Sequence, residues 1–322
     1  MQRFKNILVV VDLTQSSSLA LLRAVELAQN NQASLTVVGV VPKMTAGIGM
    51  PEGGPISADL QKYANAAAKK SLEEAIRHFM SQIDIQAKVL VGTPFMEIIK
   101  EVLSNDHDLV IKSPENIGWL DRLFGSDDMH LLRKCPCPVW LVKQSTSNTY
   151  RRILTAIDVD TDHPPNELAK RYKLNIQILE MAVSQALSDF AELHVVHAWQ
   201  AIGERNPFIF NSDVKSHEYT ENILSKHNEE LDKLIDEVIS KTNADVGKFL
   251  NLQKHLIKGL PQKEIPALVN ELGVDLVVMG TVARTGIPGF FIGNTAETIL
   301  SQIKCSVLAV KPADFVSPVA LS

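Results

Sequence analysis

The residues best suited to chemistry lie late in the chain. They form the run Met279-Gly280-Thr281-Val282-Ala283-Arg284-Thr285-Gly286-Ile287-Pro288-Gly289-Phe290-Phe291-Ile292-Gly293-Asn294-Thr295-Ala296-Glu297. Four glycines bracket a loop here and open a helix. Gly280 closes an apolar run at a point where backbone must approach something closely. Gly293 precedes Asn294, which reads as an N-cap, and Glu297 follows three residues later, as in a capping box. The N–H groups of a helix start, next to a glycine without a side chain, suit an anion such as a phosphate. Arg284 adds a guanidinium for charge-assisted hydrogen bonds. The same glycines equally suit a tight turn that does no more than start a helix.

Other candidates read as structural. Cys135-Pro136-Cys137 lacks the second ligand pair that a zinc site needs. His194 and His197 lie three apart on a predicted strand, so they face opposite sides and cannot chelate one metal; a core or edge role is the reading. Thr161-Asp162-His163-Pro164-Pro165 reads as an irregular surface excursion, with a lid beside Asp158 as the alternative. Phe208, Ile209 and Phe210 follow a strand and suit the mouth of an apolar pocket. The chain has no Gly-Lys-Ser/Thr phosphate loop, no Gly-x-Gly-x-x-Gly after its first strand and no Gly-x-Ser-x-Gly. No cluster pairs a nucleophile with a base, so no catalytic residue is assigned and a slow ATPase is the most that is expected.

The elements that must hold this loop come in two copies. Residues 7–12 (ILVVVD) match 153–158 (ILTAID), and 33–41 match 191–199. Gly92-Thr93-Pro94 with Glu97-Ile98 matches Gly259-Leu260-Pro261 with Glu264-Ile265. Asp108 to Val110 matches Asp275 to Val277, and Cys137 to Lys143 matches Cys305 to Lys311. Five matches in one order make a duplication. The second copy carries extra residues around Asp160 to Lys173.

Each copy alternates strands and helices. Short runs rich in Val, Ile and Leu predict buried parallel strands near 7–11, 35–41, 86–91, 108–112 and 138–143. Their partners are near 153–157, 193–199, 253–258, 275–280 and 306–311. Long polar helices are predicted over Leu60 to Met80 and Tyr219 to Ser240. The fold class is α/β, as two tandem doubly wound domains over 1–146 and 147–322, the second ending in a tail at 312–322. In such sheets ligands sit beyond the carboxyl ends of the strands, so the place to look is just after strands one and four.

Composition narrows the partners. The 322 residues are 45% hydrophobic and 21% charged, with a net charge of −5. That balance argues against nucleic acid. No run approaches the ~20 apolar residues that span a membrane. Three sparse cysteines suit a reducing compartment, and the expected location is cytoplasmic.

The loop spacing, Gly280 through Gly293-Asn294, resembles the nucleotide-binding signature of universal stress proteins. Asp12 and Asp158 closing strand one, the Gly-x-Pro-x-x-Glu-Ile segments and the closing Val-Lys strands are similar to that family too. The likeness covers both halves and is that of the tandem two-domain bacterial subclass. It implies a five-stranded parallel sheet in each half, order 3-2-1-4-5, with helices on both faces. It also implies an intrachain pseudo-dimer through 138–143 and 306–311, with Val139 and Leu141 against Val307 and Ala309. In nucleotide-binding members the Asp after strand one and the backbone of strand two hold adenine and ribose, while the loop and helix start hold the phosphates. Carried over, this implicates Asp158, Val196, Gly280, Ala283, Arg284, Gly293, Asn294 and Thr295, with ATP or a related adenine nucleotide and its Mg as the cofactor. Ala283 departs from the signature, which has glycine there; if the position needs a positive φ, the alanine costs about 1 kcal/mol or more.

The first half departs further. Counting back from Gly125-Ser126 puts Lys112 and Glu115 at the first two glycine positions; aligning on Asp-Leu-Val puts Ser113 and Asn116 there. Glu115, Asp121, Asp127 and Asp128 make that segment acidic, which repels phosphate. The implied function is a stress-response protein that acts by binding, with its nucleotide site in the second half. A ligand-free scaffold, a binder of a larger amphipathic ligand near Phe208 and Phe210, protein partners and a further homodimer are the open alternatives.

Overall fold

Continuous apolar runs need cover on both faces, and the structure supplies it twice. A computed structural model describes residues 4–14, 19–44, 54–115, 124–144, 147–204, 213–242, 248–281 and 292–321. The chain divides into two compact units. One comprises Arg3–Asn148 together with Phe315–Ser322; the other comprises Thr149–Ile287 and Ile292–Asp314.

The first unit runs β1 (Asn6–Val10), α1 (Leu19–Asn31), β2 (Ser34–Val41), α2 (Pro55–Ile76), β3 (Ile85–Val91), α3 (Pro94–Asn105), β4 (Leu109–Lys112), α4 (Ser126–Lys134) and β5 (Val139–Leu141). Its strands lie in the order β3-β2-β1-β4-β5, all parallel. The second unit runs β6 (Arg152–Ala156), α5 (Pro165–Asp189), β7 (Glu192–Trp199), α6 (Asp213–Ser240), β8 (Asn251–Lys258), α7 (Pro261–Leu272), β9 (Leu276–Gly280), α8 (Asn294–Gln302) and β10 (Ser306–Val310). Its order is β8-β7-β6-β9-β10, again all parallel. Both units have the expected fold and strand order.

Burial explains the sequence patterns. β9 and β10 are buried almost throughout, which is why LVVMG and SVLAV carry no alternation. β8 lies at the edge of its unit's sheet and admits Gln253, Lys254 and His255. The strand order reverses between β6 and β9, so their carboxyl ends open a crevice there.

The repeated Gly-x-Pro-x-x-Glu segment is a strand-to-helix corner. Gly92 and Gly259 have φ of 146° and 156°. The following Glu97 and Glu264 fold back so closely that a Cβ on either glycine would lie 2.8 Å or 2.5 Å from their Cγ. Pro94 and Pro261 open α3 and α7, where the missing N–H costs nothing.

The extra residues of the second half differ from expectation. Only 157–164 are non-helical; Pro165 onward is helix, so α5 has 25 residues where α1 has 13. The proline pair, read as an excursion, instead sets the helix start: Pro164 is the N-cap and Pro165 the first helical residue.

Candidate functional site

The carboxyl ends of β6, β7 and β9, the start of α8 and the added turns of α5 line one cavity of about 420 Å³ in the second unit. That size falls within the usual range for small-molecule sites, about 300–1,000 Å³. Its wall mixes apolar groups (Leu174, Ile178, Ile265, Ile299) with polar ones (Asp158, Asp160, Arg171, His197, His227).

Of the residues implicated by the family likeness, Asp158, Gly280, Gly293 and Thr295 meet here, together with His197, Asp162 and His163, which the sequence reading had weighed as structural or surface residues. Val196 and Asn294 do not line the cavity. Val196 is fully buried, and its carbonyl accepts the Ile157 N–H at 2.9 Å. The part of strand two that reaches the cavity lies further on, at His197, Ala198 and Trp199, with Gln200 beyond the strand end. Ala283, Arg284, Phe208 and Phe210 lie outside the described residues, as do Asn116 and Asp121 of the first half.

The close approach read at Gly280 is present, and the cap reading at Gly293 and Asn294 differs. The close neighbour of Gly280 is protein: a Cβ there would meet Leu174 Cδ2 at 3.1 Å and Ile178 Cδ1 at 3.2 Å, both on α5. Gly293, not Asn294, is the N-cap of α8, with φ −63° and ψ 142°, and Asn294 is the first helical residue. The expected capping box headed by Asn294 is therefore not formed, and Gly293, as the N-cap, has no side chain to cap the terminus. The Gly293 N–H donates to the Thr281 carbonyl at 2.8 Å. The buried Lys311 ammonium donates to Thr281 Oγ1 at 2.6 Å. A helix start at an N-cap glycine, linked through Thr281 to a buried cation, has the electrostatics of an anion site.

Asp158 is held from α5. Arg171 pairs with its carboxylate, Asn175 Nδ2 donates to its carbonyl at 2.7 Å, and its N–H reaches Asn175 Oδ1 at 3.4 Å. Asp158 in turn accepts the Asp160 N–H, and Asp160 the Asp162 N–H. The sequence reading missed Arg171, because helical spacing beyond two prolines gave no reason to turn that side chain toward the cavity. It read His197 as a core or edge residue and passed over His227: His197 Nδ1 meets the Ile157 carbonyl at 3.1 Å, and His197 Nε2 meets His227 Nδ1 at 3.0 Å. Burial pushes both imidazoles below their ordinary range.

The first half is built differently at the same place. Asp128, fully buried, pairs with Lys112 at 2.7 Å and accepts the N–H groups of Glu115 at 2.8 Å and Gly125 at 3.2 Å. The Glu115 carboxylate packs on Gly125, with Oε2 only 1.6 Å from where a Cβ would stand. Burial, then the Asp128 charge, raises the Glu115 carboxyl above its ordinary range. Lys112 and Glu115, aligned with the lost glycines, thus join Asp128 in filling the space at the α4 N-terminus.

No group of three or more His, Cys, Asp or Glu among the described residues is arranged to hold a metal. Cys135 and Cys137 are buried with Sγ atoms 3.6 Å apart, in keeping with the structural reading. No helix among the described residues is long and apolar enough to cross a membrane.

Comparison with known proteins bears on this arrangement. A model of the universal stress protein family matches residues 3–143 and again 149–311. Universal stress protein E of Escherichia coli K12 is 32% identical, over 100% of this chain and 98% of its own length. A functionally unknown protein from Pseudomonas aeruginosa PAO1 has a similar crystal structure, with TM-score 0.69 and 26% identity over 97% of this chain and 94% of that one. A universal stress protein of Archaeoglobus fulgidus shares the fold at TM-score 0.59 and 17% identity, over 95% of this chain and 98% of its own.

Proposed function

The chain belongs to the universal stress protein family, and from that premise we propose that it acts by binding, with a site for ATP or a related adenine nucleotide in the second half and none of that kind in the first. The contrast between the two helix starts carries the reading. In the second half the α8 terminus starts at an N-cap glycine and opens on a cavity, with Ala296 where the first half has Asp128. In the first half Glu115, Asp128 and Lys112 fill that terminus from within.

The donor set fits the group. The backbone of Gly293 to Thr295 would face the phosphates, with Lys311 and the helix dipole supplying positive potential. Asp158 would face the sugar or base, in competition with Arg171. Bound magnesium would neutralise part of the phosphate charge. The reading assigns no reaction. The cavity also has an apolar arm at Trp199, Ile202 and Ile223, which favours a ligand with an apolar extension as the second reading.

Calorimetry of the full chain with ATP and magnesium tests the proposal. One site per chain is expected, with the heat lost in Gly293→Val and retained in Glu115→Gln. ATP at about 100 times its Kd should add about 2.7 kcal/mol of stability. No heat with the unaltered chain, or two equal sites, overturns the reading. Mass spectrometry of material that co-purifies with the protein separates a nucleotide from an apolar ligand.

A further inference from the structure

The histidine pair in the cavity wall has a fixed hydrogen-bond polarity. A carbonyl oxygen only accepts, so the 3.1 Å contact to Ile157 requires the hydrogen on His197 Nδ1. Burial disfavours the charged ring, and both imidazoles titrate below their ordinary range. A neutral His197 then carries only a lone pair on Nε2 and must accept there. His227 Nδ1, 3.0 Å away, must therefore be the donor. A neutral His227 with its hydrogen on Nδ1 has a bare Nε2. That nitrogen makes no hydrogen bond among the described residues, and the side chain lines the cavity. Trp199, whose ring centroid is 6.0 Å from that of His227, lines the same wall and buries an Nε1–H that has no partner among the described residues.

We propose that His197 and His227 form a recognition subsite in this cavity, in which the bare Nε2 of His227 accepts a hydrogen bond from an N–H or O–H group of the ligand. His197 is the positioning residue: it links the Ile157 carbonyl to His227 and sets which nitrogen of His227 is bare. A satisfied core pair is the plain alternative, and the first half argues against it. The strand position of His197 is Gly39 there, and Leu13 packs so tightly on it that a Cβ would lie 2.5 Å from Leu13 Cδ2. The same fold is thus completed with an apolar plug. The second half instead spends two imidazoles on the wall of a cavity. Asp158, Asp160 and Asp162, with Lys226, are the charges that bear on the pair, and the three carboxylates would draw a proton to it. Burial outweighs them and keeps the acceptor available. The subsite deepens the nucleotide reading, since base amines and ribose hydroxyls are donors, but what it demands is the donor alone.

Two probes keep these ideas apart: ATP with magnesium, and benzamide set against N,N-dimethylbenzamide, which lacks the N–H. The full chain with 15N-labelled histidine is followed by long-range 1H–15N correlation. Free protein should show hydrogen on Nδ1 of both rings, with His227 Nε2 bare. Benzamide should move the His227 Nε2 resonance and the dimethyl compound should not. His227→Leu should weaken benzamide and ATP about tenfold, the worth of one net hydrogen bond, while His227→Gln, which keeps an acceptor, should restore most of it. Hydrogen found on His227 Nε2, equal responses to both amides, or no movement of His227 with either benzamide or ATP overturns the subsite. If benzamide behaves as expected and ATP does not bind, the nucleotide reading falls and the subsite stands. If ATP binds as tightly to His227→Leu and leaves the His227 signal in place, the subsite falls and the nucleotide reading stands.

Discussion

Asp128 and Glu115 carry the difference between the halves at the level of single side chains. Asp128 is buried with three partners, so removing it leaves two N–H groups without their acceptor and the Lys112 ammonium with only the Ser113 carbonyl. Asp128→Ala should cost about 3–5 kcal/mol, the usual penalty for breaking a buried pair by one partner, read as a lower urea midpoint. Glu115 is a different case. Its carboxyl titrates above the ordinary 4.5, first through burial and then through Asp128. A raised acid binds more protons folded than unfolded, so stability falls as pH rises through the window above about 4.5. Glu115→Gln should remove that slope, as seen in urea midpoints across the pH series. The three thiols are all buried, and that of Cys137 is pushed well up by its contact with Cys135 and by burial. A thiol reagent should therefore label none of them in the native chain and all three after denaturation.

At the level of elements, α5 shapes the site. Its added turns bring Arg171 to Asp158, and its Leu174 and Ile178 lie over Gly280. Gly280→Ala would crowd both side chains and should cost about 1–3 kcal/mol through overpacking. Leu174→Ala in the same chain should return part of that loss, because the two changes share one contact; denaturation midpoints of the single and double variants measure it. These contacts explain what could be read in advance. The strands were legible because buried parallel strands must be apolar throughout, and duplication displayed each one twice. The reach of α5 was not, because Pro164-Pro165 signals a break yet also suits a helix start. The cap of α8 was read one residue late, since Asn294 has the better capping side chain but Gly293 has the extended backbone that the turn requires.

Across the whole molecule the histidines set a common pH response. His107, His130, His194, His197, His227 and His255 all titrate below 6.5, each chiefly through burial. A depressed imidazole binds fewer protons folded than unfolded just below 6.5. Stability is therefore full above that value and is lost as pH falls toward the folded pKa values. Calorimetric Tm should drop between about pH 7 and about pH 5. The double variant His197→Gln with His227→Gln should show a shallower drop, and an unchanged slope would mean that the pair does not contribute.

The duplication, the fold class, the strand positions and a helix start after strand four were legible in the residues alone. Each of these follows from local rules: apolar runs must be buried, glycines mark tight backbone, and a repeat shows the same rule obeyed twice. Tertiary structure alone decided which side chains face one another across the helix start. It filled the first α4 terminus with Glu115 and Asp128, turned Arg171 onto Asp158 and set His227 behind His197. Those pairs join residues on different elements, and no spacing along a chain encodes the angle at which two elements meet. The two ends of the glycine-bounded run, Gly280–Thr281 and Gly293, are thus only part of the cavity lining, which also draws on β6, strand two, α5, α6 and α7.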